Sequence, residues 1–197
     1  MMIAVVRYNA GNVFSVECAL RRLGAEFVVT DNESVLAKAD RVIFPGVGEA
    51  AAAMHHLRAT GLDRVIRSLT APVLGICIGQ QLMCRHSEEG DVDGLGIFDA
   101  NVKRLIPPSP EFKVPHTGWD TVALTSPDGP VPTGLDGHYF YYVHSYAVPV
   151  CRHTAAVTEY CGTWSAAMRH DNFHAVQFHP EKSGADGSTL LSHFLAL

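Results

Sequence analysis

Three side chains in this chain have the types and settings that acyl-transfer chemistry requires. Cys77 lies in Leu74-Gly75-Ile76-Cys77-Ile78-Gly79-Gln80-Gln81, a short apolar run that stops at a cysteine with a glycine two places to either side. A nucleophile on a sharp strand-to-helix turn leaves no room for side chains at those neighbours, so the spacing predicts a nucleophile elbow. Such a turn lifts the sulfur clear of the sheet and aims the first amides of the next helix at whatever it attacks. The helix start also favours the thiolate. Far downstream, His174-Ala175-Val176-Gln177-Phe178-His179-Pro180-Glu181 brings a histidine and a carboxylate to the end of another strand. A sulfur nucleophile, an imidazole to move protons and a carboxylate to orient it form a triad of the Cys-His-Glu kind.

The choice of base is not closed by spacing. The chain holds 11 histidines, and His144 also follows a strand, so it stays open as an alternative. Two points favour His179: Pro180 fixes the chain just after it, and Glu181 is near enough to orient its ring. His55 and His56, adjacent on a helix, read as solvated. The remaining cysteines, Cys18, Cys84, Cys151 and Cys161, read as packing. Cys84 is expected two turns from Cys77 along the same helix.

Pro45-Gly46-Val47-Gly48-Glu49-Ala50-Ala51 superficially matches the G-x-G-x-x-A dinucleotide fingerprint. It follows the third strand, a proline precedes it, and no acidic strand-end residue is suitably placed, so that reading is weak. A better use is a second oxyanion donor. Two glycines let backbone amides of this segment approach or rotate toward a reacting carbonyl opposite the Ile78 amide, and losing one such donor costs roughly 3–4 kcal/mol of barrier. Lys113-Val114-Pro115-His116-Thr117-Gly118-Trp119-Asp120 reads as a loop whose tryptophan either fills the core or anchors an interface. Tyr139-Phe140-Tyr141-Tyr142-Val143-His144-Ser145-Tyr146 reads as a strand, its tyrosines equally consistent with packing.

The elements that must position these groups alternate in the first half. Strands are expected at 3–6, 26–30, 41–44 and 73–76, and helices at 12–23, 49–59 and 63–69, with Gly24 as a stop. Consecutive β-α units with apolar strands imply an α/β fold with a mostly parallel central sheet flanked by helices. Sites in such sheets form beyond the carboxyl ends of the strands. The second half changes character, with strands at 102–106, 121–124, 139–143, 155–159, 164–168 and 174–178, loops at 107–110 and 126–137, and a closing helix at 188–196. This reads as an antiparallel extension of one domain spanning 1–197.

Bulk properties narrow the function. The 197 residues are 47% hydrophobic, enough for a sizeable core, and the net charge of −5 offers no nucleic-acid or membrane-binding footprint. No apolar run is long enough to span a bilayer, and the start reads as a first strand and not a signal peptide. Five cysteines with no close pair argue against a disulfide framework and a structural zinc, and fit a reducing cytoplasm.

Together these segments resemble the class I glutamine amidotransferases, with their flavodoxin-like core. Within that class they resemble the family of glutaminase subunits of imidazole glycerol phosphate synthase, from histidine biosynthesis. The resemblance runs almost end to end, through Tyr8-Asn9-Ala10-Gly11-Asn12, the 44–48 and 75–81 segments, Lys113-Val114-Pro115-His116 with Gly118-Trp119, Val143-His144-Ser145-Tyr146, and Gln177–Ser183. It implies a Cys77–His179–Glu181 triad acting on the carboxamide of L-glutamine, with amides of Val47 and Ile78 holding the oxyanion. Gly46, Gly48, Gln81, His144, Ser145 and Tyr146 would position the substrate. The partner it implies is a (β/α)8-barrel cyclase subunit in a heterodimer, met near Asn12, Trp119, Tyr141 and Lys182. It implies no metal and no cofactor. Asp120 stands where an Asn is common, and adds negative charge there. The chief alternative is a paralogous glutaminase that feeds another ammonia-using synthase, as in surface-sugar biosynthesis.

Overall fold

The computed structural model describes residues 1–9 and 13–197. Its centre is an eight-stranded sheet fed by alternating units. In chain order these are β1 (Ile3–Val6), α1 (Val13–Arg22), β2 (Phe27–Thr30), α2 (Glu33–Leu36), β3 (Arg41–Phe44), α3 (Ala50–Thr60), α4 (Leu62–Arg67) and β4 (Val73–Ile76). Then come α5 (Ile78–Met83), β5 (Cys84–Ser87), β6 (Val92–Asp93), β7 (Phe98–Arg104), β8 (His116–Thr121) and β9 (Ala123–Leu124). The chain closes with β10 (Tyr139–His144), β11 (Tyr146–Ala147), β12 (Thr154–Glu159), β13 (Thr163–His170), β14 (Phe173–Val176) and α6 (Gly184–Ala196).

The apolar strands are buried on both faces, and their period of two splits them between two cores. Ala4, Val6, Val42, Phe44 and Val73 point to one side, where Met54 and Leu57 of α3 and Leu62 and Ile66 of α4 cover them. Ile3, Val5, Ile43, Leu74 and Ile76 point to the other, beneath Val16 and Leu20 of α1 and Leu190, Leu191 and Phe194 of α6. The strand order is β2-β1-β3-β4-β14-β13-β12-β9. Pairing is parallel from β2 through β14 and antiparallel from there to β9. The expected α/β architecture, with its antiparallel extension, is the observed one. Because β3, β4 and β14 are neighbours, the segments leaving their carboxyl ends converge: 45–48, 77–81 and 177–181.

Three expectations need correction, and one sheet is new. The 113–120 stretch is not all loop, because His116–Thr121 forms β8 and pairs antiparallel with β10, Trp119 opposite Tyr141 and His116 opposite His144. Pairing along six residues outweighs the poor strand propensity of Gly118 and Asp120. Cys84 is not on the helix of Cys77. That helix ends at Met83, and Cys84 opens β5 in register with Phe98, fully buried. The closing helix starts at Gly184, a turn earlier than expected. A smaller sheet, β11-β7-β5-β6, accounts for strands at 84–87 and 92–93 that the sequence does not announce.

Candidate active site

Cys77 occupies the junction of β4 and α5 with φ 54° and ψ −108°, a backbone conformation that L residues rarely adopt. The glycines at ±2 have the steric reason the sequence suggested. A Cβ on Gly75 would press on the backbone of Gly79 and the Met83 sulfur at 3.0 Å, and one on Gly79 would collide with the Phe44 carbonyl. The elbow is closed in by its own helix at Gly75 and by β3 at Gly79, which holds the sulfur in place.

The sulfur is met from β14. Along 177–179 the strand's alternation continues, so Gln177 and His179 leave on one side and Phe178 on the other, where it packs on Phe140 with ring centroids 4.2 Å apart. Gln177 Nε2 lies 3.7 Å from Cys77 Sγ. The His179 ring is buried, its Nδ1 2.7 Å from Glu181 Oε1, which leaves Nε2 as the nitrogen turned to Cys77. Burial alone would strip the proton from His179. The negative charge of Cys77, and then the Glu181 carboxylate, outweigh it and push the imidazole up to about 10. The ring therefore sits between sulfur and carboxylate, one nitrogen bound to the carboxylate and the other free for a reacting proton.

His144, the open alternative, ends β10 in the same neighbourhood with a different environment. Its Nδ1 lies 2.9 Å from the Tyr146 carbonyl, which can only accept, so Nδ1 carries the hydrogen and Nε2 is an unprotonated, buried, unpartnered acceptor. Burial, followed by the charge of His116, pushes His144 down to about 3. Among the described residues no carboxylate is paired with its ring. The geometry separates the two histidines, and only His179 carries the carboxylate that a triad base needs.

A cavity of about 320 Å³ opens over the sulfur, lined by Val47, Gly48, Cys77, Ile78, Gln81, Glu89, Pro115, Val143, His144, Ser145 and Tyr146. This is a size that small polar ligands use. Gly46 lies just behind the lining, where a side chain would strike Ile78 and the Tyr8 hydroxyl. Tyr8 donates to the Pro45 carbonyl at 2.8 Å, and burial, then the charge of Cys77, hold its phenol far above the usual range, so it stays a donor. Gln81 reaches across to the Tyr146 carbonyl at 2.8 Å.

Glu89 and Gln177 are residues whose roles the sequence did not signal. Glu89 is half-buried and accepts from the Ala50 amide at 3.0 Å; burial raises its carboxyl above the ordinary range. Nothing in its local sequence marks it, since it lies in a polar turn. Gln177 could have been singled out only by noting that it shares the alternation of His179.

A second cluster lies on the outside of β8 and β10. Trp119 is 56% exposed and meets Tyr141 edge-on at 6.0 Å, and Lys182 Nζ lies 5.9 Å from the centroid of the Tyr141 ring. Trp119 is thus not core. Tyr139 is exposed on the same strand, and Phe14 on α1 is exposed as well. Asn12 lies outside the described residues. Behind Trp119, His116 is sandwiched between Tyr160 at 3.8 Å and Tyr142 at 4.9 Å, and approaches Asp120 at 3.5 Å.

Comparison with known proteins places this geometry. Residues 5–196 match the family model described as glutamine amidotransferase class-I. The chain is 56% identical, over the full length of both, to imidazole glycerol phosphate synthase subunit HisH of Bacteroides thetaiotaomicron. It is 45% identical to the subunit of the same name from Idiomarina loihiensis, covering all of this chain and 98% of that one. Among solved structures, a glutamine amidotransferase superposes with a TM-score of 0.75 at 18% identity, covering 98% of this chain and 97% of that chain. The structure titled PurLQS from Thermotoga maritima gives 0.71 at 17%, covering 99% and 97%. These last two bear on the fold alone. With a family match over nearly every residue, and relatives this similar from end to end, the chain belongs to the class I glutamine amidotransferases.

Proposed function

We propose that the chain is the glutaminase subunit of imidazole glycerol phosphate synthase, acting as one unit over its whole length. In this reading the Cys77 thiolate attacks the carboxamide carbon of L-glutamine, forming a C–S bond. The tetrahedral oxyanion is held by backbone amides of Val47 and Ile78. His179 gives its Nε2 proton to the departing nitrogen as the C–N bond breaks, leaving a thioester and ammonia. It then takes a proton from water as that water attacks, and the C–S bond breaks to give glutamate. Glu181 keeps the ring oriented.

Gly46 and Gly48 leave room for the backbone beside Val47. Gln81, His144, Ser145 and Tyr146 form the substrate seat, and the Glu89 carboxylate is the group of the right charge for the α-ammonium of glutamine. Ammonia passes to a (β/α)8-barrel cyclase subunit, which makes imidazole glycerol phosphate and an aminoimidazole carboxamide ribotide. That subunit is met by Trp119, Tyr141, Lys182 and Asn12, in a cytoplasmic heterodimer. Exposed tryptophan and tyrosine beside a lysine form the kind of patch that anchors protein partners.

The observation that carries this reading is the meeting of Cys77 with the His179–Glu181 pair over one cavity. Full-length likeness to relatives named HisH adds the partner. The test is glutamate production by the chain alone and with the cyclase and its nucleotide ligand. Slow turnover alone and strong acceleration in the complex are expected. Equal turnover with and without the cyclase would reject the assignment.

A further inference from the structure

The sulfur has a neighbour that the triad does not account for. Gln177 is fully buried, its backbone N–H donating to the Ala166 carbonyl at 2.9 Å as an extension of the β14–β13 ladder. A buried primary amide must place two donors and an acceptor, and here the placement is forced from one end. The Tyr146 carbonyl can only accept, so Gln81 must turn its NH2 toward it, at 2.8 Å. The same NH2 lies 3.0 Å from Gln177, and an NH2 can only donate, so Gln177 must answer with Oε1. That leaves the Gln177 NH2 directed at Cys77 Sγ, 3.7 Å away. Flipping either amide would set donor against donor or acceptor against acceptor inside the protein. The polarity of the chain Tyr146–Gln81–Gln177–Cys77 is thus fixed by a backbone carbonyl.

We infer that Gln177 is a positioning residue for the reaction, a fixed N–H donor that holds the Cys77 sulfur as an anion, with its orientation set through Gln81 by the Tyr146 carbonyl of the cavity wall. A donor facing a thiolate favours it over the thiol, and does so again when the sulfur leaves the thioester as an anion in the second half of the reaction. Because Gln81 and Tyr146 line the cavity while Gln177 does not, the network ties the wall that a ligand touches to an atom that the ligand must react with.

The test reads the sulfur directly. Cys77 in the intact chain is alkylated with iodoacetamide across a range of pH and quantified by peptide mapping, with Cys18, Cys151 and Cys161 in the same sample reporting whether the fold is unchanged. Gln177→Met keeps the length and removes the donor. It is expected to slow Cys77 labelling roughly tenfold near neutral pH, with the gap closing as the pH is raised. Gln81→Met, which frees the Gln177 amide to turn, is expected to slow labelling a few-fold with the same convergence at high pH. Unchanged labelling of Gln177→Met at neutral pH, or a gap that persists at every pH, would overturn the inference. If Gln177→Met fails to fold, a wild-type pH profile in Gln81→Met would overturn it. The inference serves the glutaminase reading, but alkylation needs no glutamine, so its failure leaves that reading intact and a failed glutaminase assay leaves the labelling result intact.

Discussion

The ends of β10 and β14 each deliver a buried histidine to the same cavity region, and the two rings are set in opposite states. His144 is bound through Nδ1 to a carbonyl, faces His116 and His179, and is pushed down to about 3 by burial and then by His116. His179 is equally enclosed, yet burial loses to the charge of Cys77 and to Glu181, and the ring is pushed up to about 10. The backbone setting is the same in kind. What differs is a carboxylate two residues away and a sulfur across the gap. An imidazole's role here follows from the charges that face it and owes little to the strand that carries it.

The strongest way to break this contrast is His179→Gln, which keeps the size and removes the base. It is expected to lower glutaminase kcat by at least roughly three orders of magnitude, measured as glutamate release in the complex. Next comes Glu181→Gln, expected to cost on the order of a hundredfold or more, since the ring keeps its place but loses the charge that favours its protonated form. His144→Gln is expected to cost less than about tenfold in the same assay, because a neutral side chain replaces a neutral ring. If His144→Gln were the more damaging of the two histidine variants, the assignment of the base would be reversed.

A subtler test uses pH. The raised His179 gives a contribution to stability that is fully present below its ordinary 6.5 and is lost as the pH rises toward about 10. The lowered His144 works the other way, because the unfolded ring binds a proton that the folded one refuses. Its contribution is present above 6.5 and is lost as the pH falls toward about 3. Nitrogen NMR of the rings is expected to show His179 protonated at neutral pH, and to show its titration moving to lower pH in Cys77→Ala. His144→Gln is expected to move acid unfolding, followed by circular dichroism, to lower pH.

Much of this arrangement was legible in the sequence, and the limits have physical causes. The elbow could be read because steric exclusion at Gly75 and Gly79 is a local effect with a fixed spacing. Preferring His179 rested on Pro180 and Glu181, both also local. The parallel half was readable from β1, β3 and β4, which apart from Arg41 carry no polar side chain because both of their faces are covered. By contrast, β8 was hidden: Pro115, Gly118 and Asp120 argue for a loop, and only the pairing with β10 makes a strand of it. The end of α5 at Met83 carries no glycine or proline, and what stops it is the pairing of Cys84 with Phe98. Gln177 and Cys77 are a hundred residues apart, so their contact exists only once β14 lies beside β4.

Tyr141 shows what this architecture entails. Its ring lies under Lys182 and against Trp119 on the outer surface, while its carbonyl accepts the backbone N–H of His179 at 2.9 Å. Its own N–H goes to Ser183 Oγ at 3.0 Å, and that hydroxyl donates to the His179 carbonyl at 2.6 Å. The peptide of one residue of the proposed docking face is thereby clasped around the peptide of the proposed base. The aromatic rim and the imidazole are thus joined through a single peptide, with Tyr141 carrying a surface ring on one side and the His179 backbone on the other.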